Sequence, residues 1–311
     1  MIAKSLLFTA AAIGLAVPAH AHNQWLLPST TVLSDTQQSV TVDAGASTAP
    51  FEPDHNAMNV DGVKVWAPDG SMGAVENAAR SKYRSTFDVK IDKPGTWRIG
   101  MENAGISGSF KVDGEPWMVG RRRGPPPGAP AAGGAPAPAA AVSAAAPAGP
   151  EGAAPGGRPR IDPSHIVASV DDIPANATDL DLTETMGRNE FFVSAGEPSE
   201  TLFKPTGKGL EFVPVTMPTD LVSNEPGQFR FLVDGQPAAG LEVEVIPGGR
   251  RYRESDGTQK LMTDDRGILT VQWPMAGMYW LNASVTDAKP SHPKASKRRM
   301  SYTATLEVLA P

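Results

Sequence analysis

The sequence predicts an all-β protein: two antiparallel β-sandwich domains, the first carrying a disordered insertion rich in alanine, proline and glycine. Three observations predict it. Apolar residues recur with a period of two along most of the chain. Turn residues fall about every eight to twelve positions. No amphipathic helix of ordinary length is legible after the first 21 residues.

The amino-terminal element is an export signal. Residues 1–21 carry one early charge at Lys4, an apolar stretch over 6–17, then Pro18 and Ala19-His20-Ala21, a small-residue pattern suited to cleavage after Ala21. Cleavage after Ala19 is the alternative. The first sandwich then begins at His22 and runs to residue 119. Val40 and Val42 alternate in QSVTVDAG, Val63 and Val65 in DGVKVW, and Phe87, Val89 and Ile91 in STFDVKI. A turn at Lys93-Pro94-Gly95 leads into TWRIGM, and SGSFKVDG adds a further strand. Residues 120–160 are nearly all Ala, Pro and Gly between arginine-bearing ends, a composition that cannot bury enough apolar surface to offset its ordering entropy. Residues 161–219 complete the first domain and connect it onward, through strands in EFFVSAG and LEFVPV. The second sandwich occupies 220–311. QFRFLVDGQPAAGLEVEVIPGG reads as strand, Asp-Gly turn and strand, 268–273 and 278–285 flank a proline-glycine turn, and SYTATLEVL is a last strand.

Composition narrows the function. The chain has 311 residues, no cysteine and a formal charge of −6. Disulfides, thiolate metal sites, iron–sulfur clusters and cysteine nucleophiles are therefore excluded, and a metal must take nitrogen, oxygen or thioether ligands. Basic runs are short, so the broad positive surface that nucleic acid requires is missing. No stretch after the signal approaches the ~18 apolar residues of a membrane span. The expected location is the periplasm or the medium. No GxSxG elbow, phosphate loop, HExxH or complete EF-hand is present, and Gly207-Lys208-Gly209 lacks the rest of a dinucleotide fingerprint. The acidic pairs Asp171-Asp172, Asp179/Asp181 and Asp264-Asp265 fall in turns or strand edges and read as solvated. The sequence therefore predicts no enzyme activity.

Chemistry concentrates at the mature amino terminus. A first-residue His22 offers its α-amine and its imidazole, which together close a chelate ring on one metal ion. The amine titrates near 7.7–8.0, so a metal can displace its proton close to neutral pH. Cleavage after Ala19 would instead expose His20-Ala21-His22, whose amine, amides and third-position imidazole suit a square-planar Cu(II) or Ni(II) ion. His55, on a loop in Glu52-Pro53-Asp54-His55-Asn56, is the candidate third ligand, with Asp54 able to orient its ring. Met58 is either a soft ligand that tilts the site toward copper or a core residue. His165 and His292 read as solvated, and Met217 and Trp25 as core. The six tryptophans admit a rival, a sandwich with exposed rings that stack on sugars, although Trp97, Trp273 and Trp280 sit in core-facing strand positions.

Several segments together carry a resemblance: HNQWLLPS directly after the signal, VTVDAG, PTGKGLEFVPV, and FLVDGQPAAGLEVEVIPGGRRYR with GMYWLNASV. They resemble the exported bacterial family catalogued as domain of unknown function 4198, and the carboxy-terminal block also resembles transthyretin-like or collagen-binding-B-type domains. The resemblance implies an immunoglobulin-like fold and a periplasmic component of nickel or cobalt uptake. The family's histidine after the signal is matched by His22, and a histidine in the next loop by His55. The expected function is a periplasmic accessory protein that delivers or sequesters Ni, Co or Cu for a membrane transporter. The alternatives are a non-metal module for carbohydrate or an envelope protein and, last, a copper oxidase-type enzyme built on a histidine brace.

Overall fold

The computed structural model describes residues 23–120 and 161–311. Residues 1–22, where the signal is predicted, and 121–160, most of the Ala/Pro/Gly segment, lie outside these residues. The first stretch forms β1 (Asn23–Pro28), β2 (Val32–Leu33), β3 (Gln38–Ser47), β4 (Asn56–Ala57), β5 (Val63–Trp66), β6 (Glu76–Arg80), β7 (Ser85–Ile91), β8 (Gly95–Val112) and β9 (Glu115–Val119). The second forms β10 (Ile166–Val167), β11 (Thr178–Ala195), β12 (Leu210–Pro214), β13 (Leu221–Val222), β14 (Pro226–Val233), β15 (Gln236–Pro237) and β16 (Glu242–Pro247). It ends with β17 (Gln259–Met262), β18 (Ile268–Gln272), β19 (Gly277–Asp287) and β20 (Lys297–Leu309). The chain is all-β; the helical turns among the described residues are short 3₁₀ segments, and no helix there is long and apolar enough to cross a membrane.

One sheet runs through both halves of the chain, in the order β10-β9-β8-β11-β20-β19-β16-β17. Its centre is made by two 18-residue strands, β8 and β11, paired antiparallel from Thr178↔Lys111 to Ala195↔Gly95. The other edge of β11 pairs in parallel with β20, from Thr183↔Lys297 to Phe191↔Thr305. A smaller sheet, β1-β3-β7-β6 with β4 beside β3, covers one face of this long sheet. A third, made of β12, β14, β15 and β18, covers part of the other. β12 lies in the stretch read from sequence as the end of the first domain and its connector, and it pairs with β14.

The alternation of side chains on β11 shows how the layers meet. Phe191 and Val193 point into the core shared with Val40, Val42, Phe87, Val89 and Ile99, while Phe192 joins the core of Phe212, Phe229, Phe231 and Tyr302 on the opposite face. A strand buried on both sides needs consecutive apolar residues, which Phe191-Phe192-Val193 provides, and the buried Ser194 hydroxyl that follows is satisfied by those of Thr96 and Thr219. β1 is fixed to the back of the carboxy-terminal strands by polar bonds: Trp280 Nε1 donates to the Gln24 carbonyl at 3.0 Å and Thr305 Oγ1 to that of Leu26 at 2.5 Å. Beyond β1, the Glu307 carboxylate accepts from the N–H and hydroxyl of Thr31 at 2.6 and 2.8 Å.

The Asp-Gly signals form two-residue hairpins. Asp113-Gly114 and Asp234-Gly235 all have positive φ, between 50° and 84°, and join Val112↔Glu115 and Val233↔Gln236, the geometry of a type I′ turn. Asp234 has a second use. Its carboxylate and that of Asp287 grip the nearly buried Arg298, with the shortest contacts 2.6 Å on each side, and Asp234 also accepts from Gly209 N–H at 2.9 Å. The Arg298 hydrogen bonds hold both carboxyls below the ordinary aspartate range. A depressed pKa stabilises the fold above the unfolded value near 3.9, and that contribution disappears as pH falls through the lower folded values. Arg298→Ala is expected to cost about 1–3 kcal/mol near pH 7, less than a fully buried pair because both carboxylates meet water. Urea unfolding near pH 7 and near pH 2 checks this: the difference should shrink at acid pH, and a gap of unchanged size would assign the loss to packing of the arginine stem.

Candidate functional site

The described part of the predicted metal site is built on β3. β1 pairs with one edge of β3 and β4 with the other, both antiparallel to it, so Gln24 and Asn56 both lie opposite Ala46. One residue back along each strand, Asn23 is paired with Ser47, and His55 precedes Asn56 at the same end of β3. β1 and β4 are thus two strand spacings apart, about 9.5 Å. His22, the residue before Asn23, lies outside the described residues.

Local chemistry explains why this end is ordered. Trp25 lies across β3 above Gly45, where a Cβ would come within 2.6 Å of the indole, so only glycine admits the ring. Its Nε1 donates to Ser47 Oγ at 2.7 Å, and Ser47 Oγ donates to the Ala49 carbonyl at 2.5 Å. Phe51 meets Trp25 edge to face at 6.0 Å. The Glu52 carboxylate accepts from Arg251 N–H at 2.9 Å, which ties the His55 loop to the second half of the chain. His55 itself is exposed.

The other candidates separate clearly. Asp54, expected to orient the His55 ring, accepts from Thr48 N–H at 3.1 Å and so fastens the loop. Met58 is buried in the first core. His165, read as solvated, is half-buried and stacks on Trp117 at 4.5 Å and 15°. His292 is half-buried, and its Nδ1 accepts from Lys294 N–H at 3.2 Å. Trp25, Trp97, Trp273 and Trp280 are core residues, and the half-buried Trp66 and Trp117 are covered by Arg98 and His165, so no tryptophan presents an open stacking face pair. Among the described residues no group of three or more His, Asp or Glu side chains could hold a metal.

Sequence reasoning missed a second constellation, on the opposite face of the long sheet. Glu190, only 4% exposed, accepts from Tyr302 Oη at 2.8 Å and has Arg98 Nε 3.8 Å from its other oxygen. Arg98 lies over Trp66 at 3.8 Å. Arg188 stands between Glu102 and Glu211, 3.9 and 3.7 Å away. Glu211 is taken up by the backbone of the PTGKG loop, accepting from Thr206 N–H and Oγ1 and from Gly207 N–H at 2.7–2.9 Å. The alternation of Arg188 and Glu190 just before an apolar run was the available signal. Their partners come from strands roughly 90 and 110 residues away, which only the pairing of β8, β11 and β20 brings together.

Burial raises the Glu190 carboxyl above its ordinary range, while Arg98, Tyr302 and Arg188 pull it back and Glu102 adds to the rise. A raised carboxyl stabilises the fold fully below the unfolded value near 4.3 and loses that contribution as pH climbs through the folded value. Glu190→Gln is therefore expected to be as stable as the parent near pH 7, within about 1 kcal/mol, and to flatten the stability profile above pH ~4. Urea melts across pH 4 to 8 would refute it by showing a larger loss at neutral pH.

Comparison with known proteins adds the following. Solved structures similar to the chain include the D0-D1 domain of Intimin, at 11% identity over 91% of this chain and 97% of that one, with a TM-score of 0.20. Escherichia coli alpha-2-macroglobulin activated by porcine elastase aligns at 10% identity over 93% of this chain and 20% of that one, with a TM-score of 0.22. A marsupial T cell receptor aligns at 9% identity over 94% and 73%, with a TM-score of 0.18. Scores this low carry no further argument. No curated protein matches the chain. The model of the family described as Domain of unknown function (DUF4198) matches residues 19–287, reaching to the end of β19, and the chain belongs to that family.

Proposed function

We propose that this is a periplasmic metal-binding accessory protein, which holds Ni(II), Co(II) or Cu(II) at its mature amino terminus and delivers it to, or withholds it from, a membrane transporter. His22 binds through its amine and ring, and His55 completes the site. The register of β3 supports the reading: β1 leads straight from His22, and β4 follows directly on His55 at the same end of the same strand. Two imidazoles bonded to one ion at about 2.0–2.1 Å need such neighbouring origins. The donor set is nitrogen-rich, which favours Cu(II) and Ni(II) over hard cations. The cargo ion is exposed at a sheet end, where a partner protein can reach it, and the reading assigns no catalysis.

The test is metal binding by protein exported with its own leader, its mature amino terminus fixed by intact mass. Stoichiometric binding tighter than about 1 μM, roughly −8 kcal/mol, on a chain beginning at His22 or His20 is expected. Weaker binding of all three metals would move the function to an envelope interaction module.

A further inference from the structure

The face of the long sheet that carries Arg98, Arg188 and Glu190 is only partly roofed. The third sheet packs on it over β20, β19 and β16, and Lys64 of β5 faces Thr206 and Lys208 of the 200–209 loop across an open space. Between them opens a cavity of about 480 Å³, walled by Lys64, Glu102, Met186, Arg188, Lys208 and Leu210. A smaller space of about 20 Å³, enough for one water, shares Arg188 and Thr206 with it and continues inward to Arg98 and Glu190. The larger volume lies in the range of small-molecule sites, ~300–1,000 Å³.

The wall chemistry is unusual for a structural cluster. The Arg188 side chain is 19% exposed, yet among the described residues no hydrogen bond engages its guanidinium; both flanking carboxylates stand beyond hydrogen-bond distance, at 3.7 and 3.9 Å. The guanidinium, which carries five donors in a rigid fork, lines the cavity with those donors uncommitted. Deeper in, Arg98 Nε and Glu190 Oε2 are buried without a hydrogen-bond partner. Such groups are costly unless water or a ligand satisfies them. Lys208, held at the rim by Gly207 and Gly209 with φ of 73° and 68°, adds a positive charge, while Lys64 on the other side is paired with Glu102 at 3.2 Å. Met186, Leu210 and Ala104 supply an apolar floor.

We propose that this cavity binds a small organic acid as its carboxylate anion, the carboxylate seated on the Arg188 fork, Lys208 steering it in, and the carbon skeleton against Met186 and Leu210. The matching planar geometries of guanidinium and carboxylate favour a two-bond contact. Glu102 and Glu211, close on either side of the fork, disfavour a more highly charged anion such as phosphate. The site lies on the opposite face of the sheet from His55 and does not depend on the metal reading.

The experiment titrates the full mature chain with benzoate and butyrate, with 1-butanol and inorganic phosphate as comparison probes. At least one carboxylate is expected to bind with Kd below about 1 mM, and 1-butanol and phosphate at least tenfold more weakly. Arg188→Met should weaken the carboxylate tenfold or more, and Lys208→Ala, at an exposed position, severalfold with a steeper effect at low salt. No binding of either acid up to 10 mM overturns the proposal. So does phosphate binding as tightly as the carboxylates, or carboxylate affinity unchanged in Lys208→Ala together with a folded Arg188→Met. If Arg188→Met fails to fold, Lys208→Ala alone decides.

Discussion

Replacing Phe212 with Ala is expected to lower folding stability by about 3–5 kcal/mol, the upper range for an aromatic truncated in a core. The ring sits on β12, where the third sheet meets the long one, and touches partners from three other strands. Tyr302 is stacked on it at 5.2 Å and 6°, Phe229 and Phe231 lie at 4.9 and 5.7 Å, and Phe192 at 6.1 Å. Both layers would border the resulting cavity, and the β-strands that frame it are too extensively paired to collapse inward. Tyr302 would also lose the surface that aims its hydroxyl at Glu190. Urea denaturation of the mature chain measures the loss, and Phe212→Leu should restore about half of it. A loss below about 1.5 kcal/mol would mean that neighbouring rings refill the space.

The second large effect concerns metal. His22→Ala, made so that leader cleavage is preserved, is expected to reduce metal affinity a hundredfold or more, about 2.7 kcal/mol, because it removes the ring and leaves the amine without its chelate partner. His55→Ala should cost about tenfold, since the terminal chelate survives. Neither change should shift the unfolding midpoint: His55 is exposed, and its loop is secured by Asp54, Phe51 and Glu52. Affinity should also fall as pH drops, because protons compete with the metal for both imidazole and amine. Calorimetry on the two variants and the parent decides the matter; an affinity within threefold of the parent for His22→Ala, under ~0.7 kcal/mol, would end the metal reading.

Much of the fold is legible because burial on one face imposes a period of two. Val40 and Val42, Phe87, Val89 and Ile91, Phe229 and Phe231, and Val243 and Val245 alternate in sequence and are all buried. What the alternation does not encode is which edges meet. β11 begins at Thr178, well before its apolar run, where exposed residues such as Asp179 and Asp181 carry no hydrophobic signal. Its parallel pairing with β20 joins segments more than 110 residues apart, and no local pattern announces such a contact. β4 is two residues long, too short for any period to show, yet it is the element that sets His55 beside β3. At the candidate site, the residue types at positions 22 and 55 are readable as chelators, whereas the pairing of β1 and β4 at one end of β3 is a product of register. The Arg188 cavity is invisible for the opposite reason: its residues look like ordinary solvated charges until the strands that bear them are laid side by side.

The position of β20 bears on how such a chain can be made. It lies between β11 and β19, so residues 297–309 fill an interior slot flanked by strands that precede them in the chain. As the polypeptide emerges from its amino end, β11 and β19 must wait with open hydrogen-bonding edges, and the aromatic core lacks Tyr302 and Leu306. Premature folding is thereby discouraged, since loop-closure entropy is incurred long before the contacts that offset it form. The same geometry carries a hazard: a chain clipped before residue 297 would present two adhesive strand edges to its neighbours.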